Sequence, residues 1–361
     1  MRIAGLFRSG VLVSAAILTL CAGQAVAQSA GDNPAMYRGP DREQRLIEGA
    51  KKEGQVTVYS SMIADQALRP ILNGFEAKYP FVKPQYVRDD PPQQLQKVMA
   101  ESRANRMVVD VLESTGLEVP VRAANINQPF WSPQTEAYGK EHTDPDNFWA
   151  PTRFSYLGAC YNTNLVKPGD IKSFADFLDP KWKGKVAWSG TVIGAMLFIT
   201  GVRSFMGEEK ALAYLQQLAK QDIVSIASAN RVVVDRVMAG EHALCLDAFL
   251  HHPIISARKG APVAPQPLDP VLTVVSSVML PKSPPHPYAA MLFIDYLLSK
   301  EGQARLQGAD YFPAHPDVPA SPDLDKIVPR KIGLKENYIS PAKMNSDLPK
   351  SRALYQELFA K

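Results

Sequence analysis

VTVYSSMIADQALRPILNGFEAKYPFVKPQYVRDDPPQQLQKVMAESRANRMVVDVL, residues 56–112, decides the fold class because its apolar residues change period four times. Val56 to Tyr59 is a short β-branched and aromatic run, the pattern of a buried strand. Leu68, Ile71, Leu72, Phe75 and Tyr79 then recur at helical spacing. Pro70 is tolerable there only in a first turn, and Pro80 closes the helix. Val82 to Val87 is strand-like again, Leu95, Val98 and Met99 mark an amphipathic helix, and Val108 to Leu112 is a third strand. The order βαβαβ predicts a parallel sheet flanked by helices, an α/β domain.

The same alternation extends in both directions. Upstream, Asp41 and Gln44 have capping-box spacing before Leu46, Ile47 and Ala50, and Gly54 stops that helix. Downstream, Asn125 to Asn147 is a polar, Pro-containing linker, and Phe154 to Tyr161 resumes strand character and crosses to a second lobe. There, Ser173 and Asp176 cap a short helix, and Val186 to Trp188 is a strand. Leu212, Leu215 and Leu218 stripe a helix starting near Glu208, and Ile223 to Ile226 is a strand. Val233, Val234 and Val237 share one face of a helix ended by Gly240, before the strand Ala243 to Leu246, which Asp247 ends. Leu272 to Leu280 is the return crossing. Tyr288 to Leu298 is a strong helix, and a Pro-rich tail ends in a helix near Ser351 to Phe359. No internal repeat is visible.

Among the 361 residues, 40 are basic and 36 acidic, a balance that implies neither a nucleic-acid nor a polybasic membrane partner. Arg2 and Arg8 precede the apolar run Val11 to Leu20 and the small-residue end Ala25-Val26-Ala27, the order of a cleavable secretory signal over residues 1–27. The apolar core is too short for a membrane span, and Leu20 before Cys21 does not suit lipidation. A soluble protein exported to the periplasm is expected. The uncharged run Val186 to Val202 is broken by Ser189, Gly190, Thr191 and Gly194 and reads as a strand entering a buried helix. Cys160 and Cys245 lie in apolar, strand-like runs and are read as buried thiols, although one bridge is possible in an oxidising compartment.

Four segments carry a family resemblance: VTVYSS, GACYNTNLV (Gly158 to Val166), FADFLDPKWKGKVAWSG (Phe174 to Gly190) and HPYAAMLFIDYLLSKEGQ (His286 to Gln303). In this order they resemble the extracellular solute-binding proteins of ABC importers, near the ferric-iron-binding branch. The resemblance implies the type II periplasmic binding fold: two lobes, each a mixed, mostly parallel sheet flanked by helices, joined by two crossing strands, with ligand held between them. Lobe one is expected to combine residues 28–150 with 271–361, and lobe two to span 151–270. The implied partners are a small-molecule solute and an inner-membrane ABC permease, the chain is expected to be a monomer, and no cofactor is implied.

In open parallel sheets the ligand crevice lies beyond the carboxyl ends of the strands, where loops feed helix N-termini. The residues at such positions are Ser60 and Ser61, Ser114, Thr115 and Gly116, and Ser189 and Thr191. Hydroxyls and backbone N–H groups at helix starts suit carboxylates or phosphates. Arg153, at the start of the crossing strand, and Arg231, beside Asn230 at a helix head, have the fork geometry for an anion, and Asp247 could pair with either or bind ligand. Each also has a plain reading, as a cap or a solvated side chain. The iron-binding relatives use adjacent tyrosines after this strand, but here the sequence is LDAFLHH (Leu246 to His252), and no adjacent tyrosine pair occurs anywhere. Iron would then rest on Asp247, His251 or a bound anion. The G-x-S-x-G, H-E-x-x-H, G-x-G-x-x-G and P-loop motifs are absent, so an exported hydrolase or transferase is the lesser alternative.

Overall fold

The computed structural model describes residues 33–360, so the expected secretory signal lies outside the described residues. The expected βαβαβ unit is present. Strands β1 (Gln55–Ser60), β2 (Lys83–Arg88) and β3 (Val111–Ser114) pair in parallel in the order β2-β1-β3, joined by the helices Arg69–Lys78 and Pro91–Arg103. Strand β3 starts three residues later than the apolar run suggests. The Asp110 carboxylate instead accepts the backbone N–H groups of Thr57 and His286, both at 2.7 Å, and Val108 is exposed. The first helix, Arg42–Glu53, ends on Gly54 in the left-handed region (φ 71°) as read. Its capping box does not form, because the Asp41 carboxylate is occupied by Tyr37 and Arg45.

After the two-residue strand β4 (Asn127–Gln128), the long β5 (Ala150–Asn162) leads into β6 (Val186–Ser189), β7 (Val224–Ile226), β8 (Leu244–Phe249) and β9 (Val263–Gln266). The return crossing β10 (Val271–Pro281) is followed by β11 (Phe312–Pro313) and β12 (Glu336–Tyr338). The path β2-β1-β3-β10-β5-β8-β6-β7 runs through the whole molecule, with β10 and β5 antiparallel at its centre. Parallel pairs on each flank and antiparallel pairs in the middle give the mixed sheet of the type II periplasmic binding fold.

Core membership explains why the central pair crosses between lobes. Ala150, Val278 and Leu280 are buried with Phe75, Phe293 and Tyr296 in one core, whereas Leu157, Leu272 and Val274 are buried with Trp188 and Phe198 in another. Each crossing strand is therefore anchored at its two ends by different hydrophobic cores.

Two readings are corrected. The cysteines form a disulfide, Cys160–Cys245. They face each other in the antiparallel β5–β8 register, a juxtaposition that separate strand-like runs do not reveal. The tail after residue 271 also divides. Its last helix begins at Pro341, ten residues before the expected start, and Ile339, Met344, Tyr355 and Phe359 pack into the core of Trp188 and Phe198. Phe359 sits edge-on to Trp188 at 4.5 Å between ring centres, and Tyr355 hydrogen-bonds Ser225. The terminal helix thus belongs with the second core, not the first.

Candidate ligand-binding cleft

A cleft of about 420 Å³ opens where the carboxyl ends of the flanking parallel strands converge on the crossing strands. β1 feeds Ser61 and Ile63 into it, β2 feeds Arg88, β3 feeds Thr115, and β6 feeds Thr191 to Ile193. The two hydroxyl loops are built alike. β1 and β6 each run through a serine into a wide turn with i→i+5 character, Ala64–Leu68 and Val192–Met196, before a regular helix starts. Such turns are frequent at functional sites because they leave backbone groups outside the regular ladder. Gly194 is required in the second loop: a Cβ there would lie 2.3 Å from the Ser189 carbonyl oxygen.

Arg153 is the best-held cation of the cleft. Its guanidinium is paired with the buried Glu113, donates to Ser61 Oγ at 3.3 Å and lies over the Tyr311 ring at 5.1 Å. Glu113 is saturated from below, accepting from Ser60 Oγ at 2.6 Å and Thr152 Oγ1 at 3.1 Å. One carboxylate thus fixes a crossing-strand arginine and a lobe-one serine loop together, and leaves other guanidinium N–H groups for a ligand. Thr115, also in the cleft, is hydrogen-bonded to Ser276 of β10 at 2.6 Å.

Across the cleft, Asp247 performs a similar structural task. It lies inside β8, which continues to Phe249, and is 1% exposed. Its Oδ2 accepts the Ser189 backbone N–H at 2.9 Å, and its carbonyl accepts from Asn230 Nδ2 at 2.6 Å. Ser189 Oγ donates to the Ser228 carbonyl at 2.7 Å and is 2.8 Å from Thr191 Oγ1. Burial pushes the Asp247 carboxyl up to about 8. This network sets the lobe-two rim, where the helix Asn230–Met238 opens with Arg231 paired to Asp235 at 2.7 Å. The facing helix Pro91–Arg103 starts with two prolines, which lack two of the N–H donors a helix end would otherwise offer.

His251 and His252 also line the cleft, with ring centres 4.2 Å apart. Burial lowers both, His252 to about 3, and neither Nδ1 has a protein partner. Of the residues read from sequence, Ser61, Thr115, Arg153, Thr191, Asn230 and Arg231 line the cleft together. Ser60, Ser114, Ser189 and Asp247 are buried one layer below, and Gly116 packs near Met344 of the terminal helix. The iron pair is split: His251 faces the cleft and Asp247 does not. Among the described residues, no group of three or more His, Cys, Asp or Glu side chains is placed to hold a metal ion.

Sequence reading missed Arg88, Phe249 and Tyr311 in the lining and Glu113 beneath it. Arg88 ends a parallel strand and obeys the same rule that found Ser61. Tyr311 arrives from the tail by tertiary packing alone, and no local pattern marks it.

Residues 100–335 match the family of bacterial extracellular solute-binding proteins. Iron uptake protein A2 of Synechocystis sp. is 23% identical over 263 residues, which cover 68% of this chain and 72% of that one. Among solved structures, the periplasmic binding protein AfuA from Actinobacillus pleuropneumoniae, with exogenous fructose 6-phosphate bound, has a TM-score of 0.72 at 23% identity, covering 85% of this chain and 99% of that one. Iron-bound HitA from Pseudomonas aeruginosa has a TM-score of 0.69 at 19% identity, covering 84% and 99%. A two-lobed sheet, a cleft at its crossing strands and a match over most of the chain lead to one assignment: the chain belongs to the bacterial extracellular solute-binding protein family.

Proposed function

We propose that this protein captures a small anionic organic solute in the periplasm and delivers it to an ABC permease, working as a monomer. The observation that carries the anion is Arg153, a cation 5% exposed at the cleft floor, already oriented by Glu113 and Ser61. Hydroxyl and amide groups converge around it from both lobes, at Ser61, Thr115, Thr191 and Asn230. Ile63, Val192, Ile193 and Phe249 supply apolar walls for an organic body. Because β5 and β10 are each anchored in both cores, a bend in them moves one lobe against the other. Solute touching both lobes then stabilises the closed form by its extra contacts there, and no covalent chemistry is needed.

A ferric or ferric-chelate reading draws on the names of relatives such as the Synechocystis iron uptake protein. The donor set favours the organic anion instead: among the described residues the cleft offers one tyrosine, Tyr311, and two buried histidines, with no carboxylate cluster. Mass spectrometry of whatever co-purifies, followed by thermal-shift titration of carboxylates, phosphates and ferric citrate, tests the choice. A dose-dependent rise with an organic anion supports the proposal, because a ligand of the folded state stabilises it according to concentration over Kd. Stoichiometric iron in the purified protein, or a response to ferric citrate alone, overturns it.

A further inference from the structure

The arginines of the cleft are not equivalent to free positive charge. Arg153 is paired with Glu113, Arg88 with Asp90 at 2.9 Å, and Arg231 with Asp235 at 2.7 Å. His251 and His252 are buried among Phe249, Tyr311 and the arginines, and burial keeps both uncharged. Counted with Glu113 and Asp235, which stand behind the lining, the three arginines and their three carboxylate partners sum to a formal charge of zero among many oriented donors.

The cost of stripping water from an ion grows as the square of its charge, whereas its attraction to fixed dipoles grows only in proportion. A neutral, donor-rich cleft accordingly favours ions of low net charge over multivalent ones. The pairs differ in how strongly they impose this limit. Side chains of Arg88, Asp90, Arg231 and Asp235 are 37 to 50% exposed, so water screens them. Those of Arg153 and Glu113 are 6% and 1% exposed, so the Glu113 charge is felt almost unscreened at the anion position.

We infer that the cleft selects a zwitterion or monoanion, and that Glu113 is the residue that excludes more highly charged anions. The inference rests on the anion reading above and narrows it: the anionic group sits on the N–H groups of Arg153 left open by Glu113 and Ser61, and the rest of the solute carries no further net negative charge.

Two matched pairs of probes separate charge from shape in isothermal titration at pH 8. Glycerophosphocholine has no net charge and glycerol 3-phosphate is a dianion; glutamate is a monoanion and N-acetylglutamate a dianion. The wild-type protein is expected to bind the less charged member of at least one pair tenfold or more tighter than its mate. Glu113→Gln, which keeps shape and a hydrogen-bond acceptor, should shift that ratio at least tenfold towards the dianion. Asp235→Asn, on a half-exposed side chain, should shift it the same way by a smaller factor. Tighter binding of the dianions by the wild type, or an unchanged ratio in both variants, overturns the charge limit while leaving the anion reading standing. Binding of none of the four probes removes the anion reading for phosphates and carboxylates, and the charge limit with it.

Discussion

Replacing Arg153 by methionine separates what the buried ion pair does for folding from what it does for binding. In Arg153→Met the Glu113 carboxylate, 1% exposed, loses its cation and keeps only the hydroxyls of Ser60 and Thr152. Breaking a buried pair from one side costs about 3–5 kcal/mol, because a desolvated charge is left without compensation. In the double variant Arg153→Met/Glu113→Gln no charge is stranded, and replacement of a whole buried pair is close to neutral, so the double variant should recover at least about 2 kcal/mol of that loss. Affinity should behave differently. Both variants lack the guanidinium, and a lost charge-assisted hydrogen bond of about 1.5–3 kcal/mol weakens binding of the best phosphate or carboxylate probe roughly 10- to 150-fold in the double variant, and further in the single one, where the stranded Glu113 charge repels the anion. Equilibrium urea unfolding reads the first quantity and titration calorimetry the second. A double variant as unstable as the single one would refute the stranded-charge argument, and full affinity in either would refute the placement of the anion.

The remaining predictions concern the frame around the cleft. Thiol titration of residues 28–361, expressed without the expected signal, in denaturant should find no free thiol before reduction and two afterwards. Cys160→Ala/Cys245→Ala should lose up to roughly 4.5 kcal/mol, the chain-entropy limit for a bridge spanning 85 residues. Glu118, fully buried in the first turn of the helix Glu118–Ala123, is pushed up by burial to about 7. A carboxyl raised in the folded state contributes stability that is complete below its unfolded value and is lost as pH rises through the folded value. Between about pH 4.5 and 7, wild-type stability should therefore fall by up to ~1.4 kcal/mol per pH unit from this group, and Glu118→Gln should flatten that slope in urea titrations. Phe359→Ala removes the ring against Trp188 and should cost about 3 kcal/mol by the same assay, whereas a terminal helix lying loosely on the surface would make the change neutral.

The type of nearly every long element was legible because local physics decides it. The helix Arg42–Glu53 is punctuated by Gly54, and β10, buried along its whole length, is apolar except at Thr273, Ser276 and Ser277. What failed locally failed through competition for the same group. Asp41 is spaced for a cap but is captured by Tyr37 and Arg45, and Asp110 takes the Thr57 N–H with its carboxylate, so that β3 starts only at Val111. The terminal helix was found late because Pro349 interrupts its middle, and its first half carries little apolar periodicity that would mark a helix before Ser351.

The cleft divides along another boundary. A rule about strand ends finds residues adjacent to strand ends, so it recovers Ser61, Thr115 and Thr191 and reaches one layer too deep at Ser60, Ser114 and Ser189, since alternate residues at a strand end point to opposite sides. It cannot find Glu113, which lies inside a strand and acts by holding Arg153 from β5, forty residues away. The same limit hid the disulfide: Cys160 and Cys245 look like two buried apolar positions until β5 and β8 are paired and the register sets them opposite each other. In both cases the functional or covalent partner is fixed by the order of strands in the sheet. That order places β5 against β10 and β8 at the centre, so the residues hardest to read from sequence collect at the crossing strands beneath the cleft.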